Sequence, residues 1–115
     1  MTREELNELN KLRGRLYSSS PMERTAALAE ILAKLGINPS SLNGFKHGRD
    51  LVSRHLYVET LILQATEHGY KKDVRVEVLG RGPGTIEYVQ KDGAVRVKLD
   101  SGRSQAYGPA ALKKL

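Results

Sequence analysis

Basic side chains recur at alternate positions in the last third of the chain, a pattern suited to contacts with a polyanion. In the segments DVRVEVL and AVRVKL, Arg75, Arg96 and Lys98 alternate with valines. Side chains two apart on a strand share a face, so valines turned toward a core would turn these cations toward solvent. Several cations on one exposed face could bind the phosphates of a nucleic-acid backbone, and such binding would weaken steeply with salt.

Further basic residues flank these segments or lie in turns, and a tyrosine follows them. The predicted nucleic-acid contacts are Lys71, Lys72, Arg75, Arg81, Arg96, Lys98, Arg103 and Tyr107. Tyr107 on the outer face would offer a surface on which unpaired bases can stack. Glu77 and Glu87 are expected on the same face, where cross-strand ion pairs would neutralise part of the positive charge.

The positive charge is unevenly distributed along the chain. Residues 71–115 contain ten Lys and Arg against five Asp and Glu, whereas residues 1–70 contain nine against eight. This excess indicates RNA, DNA or an acidic protein surface as the partner of the C-terminal part. A surface that only keeps the protein soluble is the alternative, and composition leaves it open.

Two helices begin with clear capping signals in the first half of the chain. Thr2 can cap a first helix, whose leucines then recur at helical spacing. In the segment SPME, Ser20 and Glu23 form a capping box around Pro21, which suits the first helical position. Gly36 is expected to end this second helix.

A third helix is expected from about residue 49 to residue 68. The preceding stretch predicts a loop with one helical turn, which starts at Pro39 and ends at Gly44. The third helix is apolar around most of its circumference, which is typical of a helix buried on several sides. It is expected to be either the centre of the helical module or the interface of a homo-oligomer.

After residue 71 the hydrophobic period changes from helical to two, which predicts half-buried antiparallel strands. Five short strands are expected within residues 73–115, and strict alternation would place Ile86 and Tyr88 on one face. The turns at 91–93 and 100–102 have the Asp and Gly residues of hairpins. The sequence therefore predicts an α+β protein, with a three-helix module at 1–70 and a five-stranded small barrel at 71–115.

The spacing of valines and turn glycines in residues 74–102 resembles an SH3-like barrel of the KOW/Tudor type. Such barrels serve nucleic-acid-binding proteins, partners of ribosomes and polymerases, and peptide readers, so the resemblance implies a fold and no single function. The helices of residues 1–70 resemble no family.

The closing segment SQAYGPAALKKL is similar to the end of the type II, plasmid-borne dihydrofolate reductases, which read Val-Gln-Ile-Tyr-Pro and then Val-Ala-Ala-Leu. The matching residues are Gln105, Tyr107, Ala110, Ala111 and Leu112. The resemblance implies four barrels around a pore, in which Gln105 would contact nicotinamide and folate and Tyr107 would hold the cofactor. Ser104 and Ala106 depart from the family pattern, as does Gly108.

Several kinds of chemistry are not expected from this sequence. The chain has no cysteine, so disulfides, thiolate metal sites and cysteine nucleophiles are excluded. The glycine-rich stretch at 80–84 precedes a strand, whereas a phosphate loop opens a helix. His55 and Glu59 are four apart on the third helix, but two ligands are too few for a metal site. No catalytic residue, metal or cofactor is predicted.

No apolar run approaches the roughly 20 residues of a membrane span, and the charged N-terminus is unlike a signal peptide. A soluble cytoplasmic protein is therefore expected. The leading hypothesis is a small, non-enzymatic, nucleic-acid-associated protein with a regulatory or accessory role. The alternative is a protein-interaction module that acts as adaptor or inhibitor of a larger machine and is encoded by a phage or plasmid. A reductase of the type II kind ranks third.

Overall fold

The computed structural model describes residues 1–115, with three helices followed by a five-stranded antiparallel sheet. The predicted α+β class is therefore confirmed. The chain divides into two units, residues 1–57 and residues 58–115. The sequence-based boundary at residue 70 assigned the whole third helix to the front of the chain, whereas the contacts group its C-terminal part, from Val58, with the sheet. None of the helices is long and apolar enough to cross a membrane.

The first two helices begin where their capping signals predict. Helix α1 spans Arg3–Gly14, and the Thr2 hydroxyl accepts a hydrogen bond from the Glu5 amide at 3.1 Å. Helix α2 spans Pro21–Leu35, with the Ser20 hydroxyl as acceptor for the Glu23 amide. The second hydrogen bond of the predicted capping box is replaced by a relay, because the Ser20 amide donates to the Ser18 hydroxyl, which donates to the Glu23 carboxylate. Gly36 ends α2 in the left-handed conformation that glycine adopts without strain.

Helix α3 spans Gly44–Glu67 and begins five residues earlier than predicted. The expected helical turn is present and is a 3-10 turn at Pro39–Ser41, but Gly44 opens α3 instead of ending that turn. The Asn43 amide donates to His47 Nδ1 at 2.9 Å. This bond satisfies an amide that a helix start leaves without a partner, so α3 can begin before His47.

All three helices contribute buried aliphatic residues to the core of the first unit. They include Leu6, Leu9 and Leu16 from α1 and its following turn, Leu28 and Ile31 from α2, and Val52 and Leu56 from α3. A Cβ at Gly48 would lie 2.9 Å from a methyl carbon of Leu28. The start of α3 therefore packs closely against α2, and this position is suited to a residue without a side chain.

The sheet consists of β1 (Arg75–Val78), β2 (Gly82–Val89), β3 (Val95–Leu99), β4 (Ser104–Tyr107) and β5 (Leu112–Lys114). Their order is β4-β3-β2-β1-β5, so β4 and β5 are the two edges. The chain turns at Gly108 into a 3-10 turn, Pro109–Ala111, and β5 then pairs with β1. Because β4 and β5 do not pair, hydrogen bonds do not close the sheet into the barrel expected from the sequence.

The core of the second unit lies on one face of this sheet, which we call the inner face. Its buried members are Ala65, Tyr70, Val76, Val78, Ile86, Val95, Val97, Leu99 and Leu112. Ala65 is part of α3, and the buried Tyr70 hydroxyl donates to the Leu112 carbonyl at 3.0 Å. The alternate valines of β1 and β3 are therefore buried, as the period of two predicts.

The hairpin between β2 and β3 packs its turn against α3. Gly93 has a φ of 87°, and a Cβ there would lie 2.4 Å from the Cβ of Leu61 and 3.1 Å from the Val58 carbonyl oxygen. The Asp92 carboxylate accepts a hydrogen bond from the Ala94 amide and holds the turn. Both the backbone conformation and the short distance to α3 require glycine at this point.

A β-bulge in β2 changes which side chains reach solvent. Ile86 lies opposite Val97, but the next pair along the strands joins Tyr88 to Arg96, so Glu87 is an extra residue. Ile86 is 1% exposed, whereas Tyr88 is 53% exposed. The expectation that these two residues share a face is therefore wrong, because the extra residue reverses the alternation between them.

Candidate nucleic-acid interface

The face of the sheet opposite the core, here called the outer face, carries two rows of side chains across the strands. The first row follows the pairs Arg75–Thr85, Thr85–Lys98 and Lys98–Ser104. It therefore joins β1, β2, β3 and β4, with Arg75 and Lys98 exposed. The alternation of the sequence predicted this placement of both cations.

The second row consists of Tyr88, Arg96 and Ala106. Arg96 is the central member, because it pairs with Tyr88 on β2 and with Ala106 on β4. Tyr88 and Ala106 are exposed, and Arg96 is half-buried. Directly opposed residues of an antiparallel pair have Cβ atoms about 5 Å apart, so the Tyr88 ring and the Arg96 guanidinium can contact one ligand.

Arg75 is engaged within the chain by an exposed carboxylate. Its two terminal nitrogens donate to the two Asp100 oxygens at 2.6 and 2.7 Å, and one of them also donates to the Thr85 hydroxyl. These hydrogen bonds raise the pKa of Arg75 and lower that of Asp100. Arg96 and Lys98, by contrast, make no ion pair in the structure. They are the predicted outer-face cations whose charge is available to a ligand.

The Arg75–Asp100 pair makes a pH-dependent contribution to stability. Hydrogen bonds from Arg75 hold the pKa of Asp100 below its ordinary value of 3.8, so the contribution is present above that pH and is lost as the pH falls below it. We expect Asp100→Asn to lower the melting temperature slightly at about pH 7 and by a smaller amount at about pH 2. Thermal unfolding followed by circular dichroism at both pH values would check this. A difference of equal size at both pH values would contradict the assignment.

The outer-face carboxylates have neighbours of their own. Ser104 donates its hydroxyl to Glu87, and Glu77 lies directly opposite Lys113 on β5. Neither glutamate makes an ion pair in the structure, so the cross-strand ion pairs expected for them are not formed. The Arg75–Asp100 pair is instead the ion pair that removes a cation from this face.

Gln105 and Tyr107 lie on the inner face. The register of β3 and β4 places Gln105 opposite Val97 and Tyr107 opposite Val95. Tyr107 packs against the core, and its hydroxyl donates to Gln105 Oε1 at 2.9 Å. The expectation of Tyr107 on the outer face is wrong, because the pairing register fixes the face and the sequence does not reveal it. The two residues do share a face, as their spacing predicted.

The other predicted contacts lie outside the outer face. Lys71 and Lys72 are exposed in the segment before β1, and Arg81 and Arg103 are exposed in the turns before β2 and β4. The Asp100 amide donates to the Pro83 carbonyl at 3.0 Å, which brings those two turns to one end of the sheet. Arg81 and Arg103 therefore extend the positive charge beyond the outer face at that end.

Tyr88 is the candidate contact that the sequence did not indicate. The pattern GTIEYV assigns it to the core face, and no residue in the segment signals the bulge that exposes it. A bulge is defined by the partner strand, so only the pairing of β2 with β3 reveals the exposed ring.

The structure places no group of three or more His, Asp or Glu side chains where it could hold a metal ion. Comparison of the chain with protein-family models, with curated proteins and with solved structures finds no match. The function is therefore argued from the outer face itself.

Proposed function

We propose that this protein binds nucleic acid without catalysis, through contacts of the outer face with the phosphate backbone. The observation that carries the proposal is the arrangement of Arg96, Lys98 and Tyr88. Two cations without an ion pair lie on one strand, and an exposed aromatic ring lies opposite the first of them. The small antiparallel sheet, whose valine and glycine spacing in the sequence resembles that of SH3-like barrels, would serve as the rigid support for these side chains.

The spacing of the two cations suits an extended nucleic-acid backbone. Arg96 and Lys98 are two residues apart on β3, which corresponds to about 7 Å. This distance is close to one nucleotide step of an extended strand, so each cation can contact a successive phosphate. Arginine offers a planar fork of donors and lysine a compact charge, and both groups bind phosphate oxygens.

Charge around the sheet supports the same partner. Residues 71–115 carry ten Lys and Arg against five Asp and Glu, and the exposed Arg81 and Arg103 extend this charge past the end of the sheet. Positive charge concentrated on one part of a protein attracts a polyanion and accelerates association at low salt. Backbone contacts alone carry no sequence information, so binding would show little sequence preference.

Charge reversal on β3 tests the proposal. We expect the double variant Arg96→Glu with Lys98→Glu to bind a labelled oligonucleotide about tenfold or more weakly at low salt, because two phosphate contacts become repulsive. Fluorescence anisotropy would measure the dissociation constants. Lys11→Glu with Lys46→Glu is the matched control, since it also reverses two charges and both are exposed lysines of the helical unit. Equal binding by the β3 double variant and by this control would contradict the proposal.

A further inference from the structure

We infer that the outer face prefers single-stranded nucleic acid to duplex, with Tyr88 as the residue on which an unpaired base stacks. This inference rests on the proposed function and names the kind of nucleic acid that the same surface would bind. It follows from three features: the bulge that exposes the ring, the absence of any contact of the ring within the chain, and the position of the two cations.

The bulge at Glu87 gives Tyr88 its exposure. Glu87 and Tyr88 are consecutive residues that both point away from the core, and Val89 then packs against the core again. A bulge leaves one residue unpaired and changes the direction in which the neighbouring side chains point. Without it, strict alternation would bury Tyr88 beside Ile86, and the outer face would have no aromatic ring within its two rows.

The Tyr88 ring has open surroundings on the outer face. Its hydroxyl and ring make no hydrogen bond or ring contact within the chain. Beyond Arg96, the same row ends at Ala106, which carries only a methyl group and is exposed. A flat ligand that lies against the ring therefore has Arg96 as its neighbour in this row, and beyond Arg96 it meets only a methyl group.

A base can stack on Tyr88 only if its own face is uncovered. In a duplex, each base is covered by its neighbours above and below, whereas bases of a single strand can turn outward onto an aromatic ring. Arg96 and Lys98 then lie within reach of the phosphates on either side of that base. Every base has a flat face, so stacking of this kind tolerates any sequence, and it is open to DNA and RNA alike.

Three ligands of equal length test the inference: an oligo-dT single strand, an oligo-U single strand and a mixed-sequence DNA duplex. We expect the parent protein to bind either single strand more tightly than the duplex. Tyr88→Ala should weaken single-strand binding about tenfold and leave duplex binding and the salt dependence unchanged. Tyr88→Phe should retain single-strand affinity because it keeps the ring. Tyr57→Ala is the control, since Tyr57 is a similarly exposed tyrosine of the helical unit.

The outcomes separate this inference from the proposed function. If Tyr88→Ala binds single strands as tightly as the parent protein, while the Arg96 and Lys98 double variant does not, stacking is overturned and backbone binding stands. Equal affinity of the parent protein for duplex and single strands also overturns the inference. Weaker binding of Tyr88→Ala to only one of the two single strands supports stacking and identifies that nucleic acid as the ligand. If the parent protein binds none of the three ligands, both the stacking inference and the proposed function are overturned.

Discussion

Replacing Gly93 by alanine should destabilise the sheet unit by about 3 kcal/mol or more, through strain and overpacking together. The φ of 87° lies in the region that side chains rarely adopt, and an added Cβ would come within 2.4 Å of the Leu61 Cβ. The nearby Val58 carbonyl and Ile62 amide belong to the backbone of α3 and cannot rotate away. The turn would have to move off the helix. Urea denaturation followed by circular dichroism would measure the decrease in unfolding free energy.

Gly80→Ala is the matched control for this substitution. Gly80 also has a positive φ, of 74°, but a Cβ there would meet no atom within 4 Å. The control should therefore show only the conformational cost, about 1 kcal/mol. An equal decrease in unfolding free energy in the two variants would show that the hairpin turn does not pack tightly against α3.

A comparison of Ile86→Ala with Tyr88→Ala tests the bulge through stability alone. Ile86 is fully buried among the valines of the inner face, so its truncation leaves a cavity and should cost about 2–5 kcal/mol. Tyr88→Ala removes an exposed ring and should change the unfolding free energy by about 0.5 kcal/mol or less. Chemical denaturation of the two variants beside the parent protein gives both values.

If the side chains of β2 alternated strictly, the result for Tyr88→Ala would be the opposite. Without the extra residue Glu87, both side chains would pack in the core, and both substitutions would be costly. A large destabilisation in Tyr88→Ala would therefore contradict the register of β2 and β3, and with it the exposed ring that the stacking inference requires.

Features set by neighbouring residues could be predicted from the sequence. The start of α2 depends on Ser20 and Glu23, which are three residues apart, and the buried valines of β3 follow from alternation within one strand. The start of α3 was missed, although its cause is also local. The His47 side chain accepts a hydrogen bond from the Asn43 amide. A histidine cap of this kind is not among the residue types that signal a helix start.

Features set by strand pairing could not be predicted. The face of Tyr107 depends on how β4 aligns with β3, and the face of Tyr88 depends on an extra residue between two ladder pairs. For the candidate site, the outward direction of Arg96 and Lys98 was predicted because both lie within one alternating segment. The partner of Arg75 was not, because Asp100 is 25 residues away and reaches it only in the folded sheet.

The most direct test of nucleic-acid binding through the outer face is the salt dependence of binding to a labelled single strand. Fluorescence anisotropy would measure it for the parent protein and for the Arg96 and Lys98 double variant. We expect the logarithm of the association constant to fall linearly with the logarithm of salt concentration. The slope of the double variant should be smaller by about 1.4, or about 0.7 for each phosphate that the variant no longer neutralises. Absence of binding by the parent protein even at low salt, or identical slopes for the two proteins, would contradict nucleic-acid binding through the outer face.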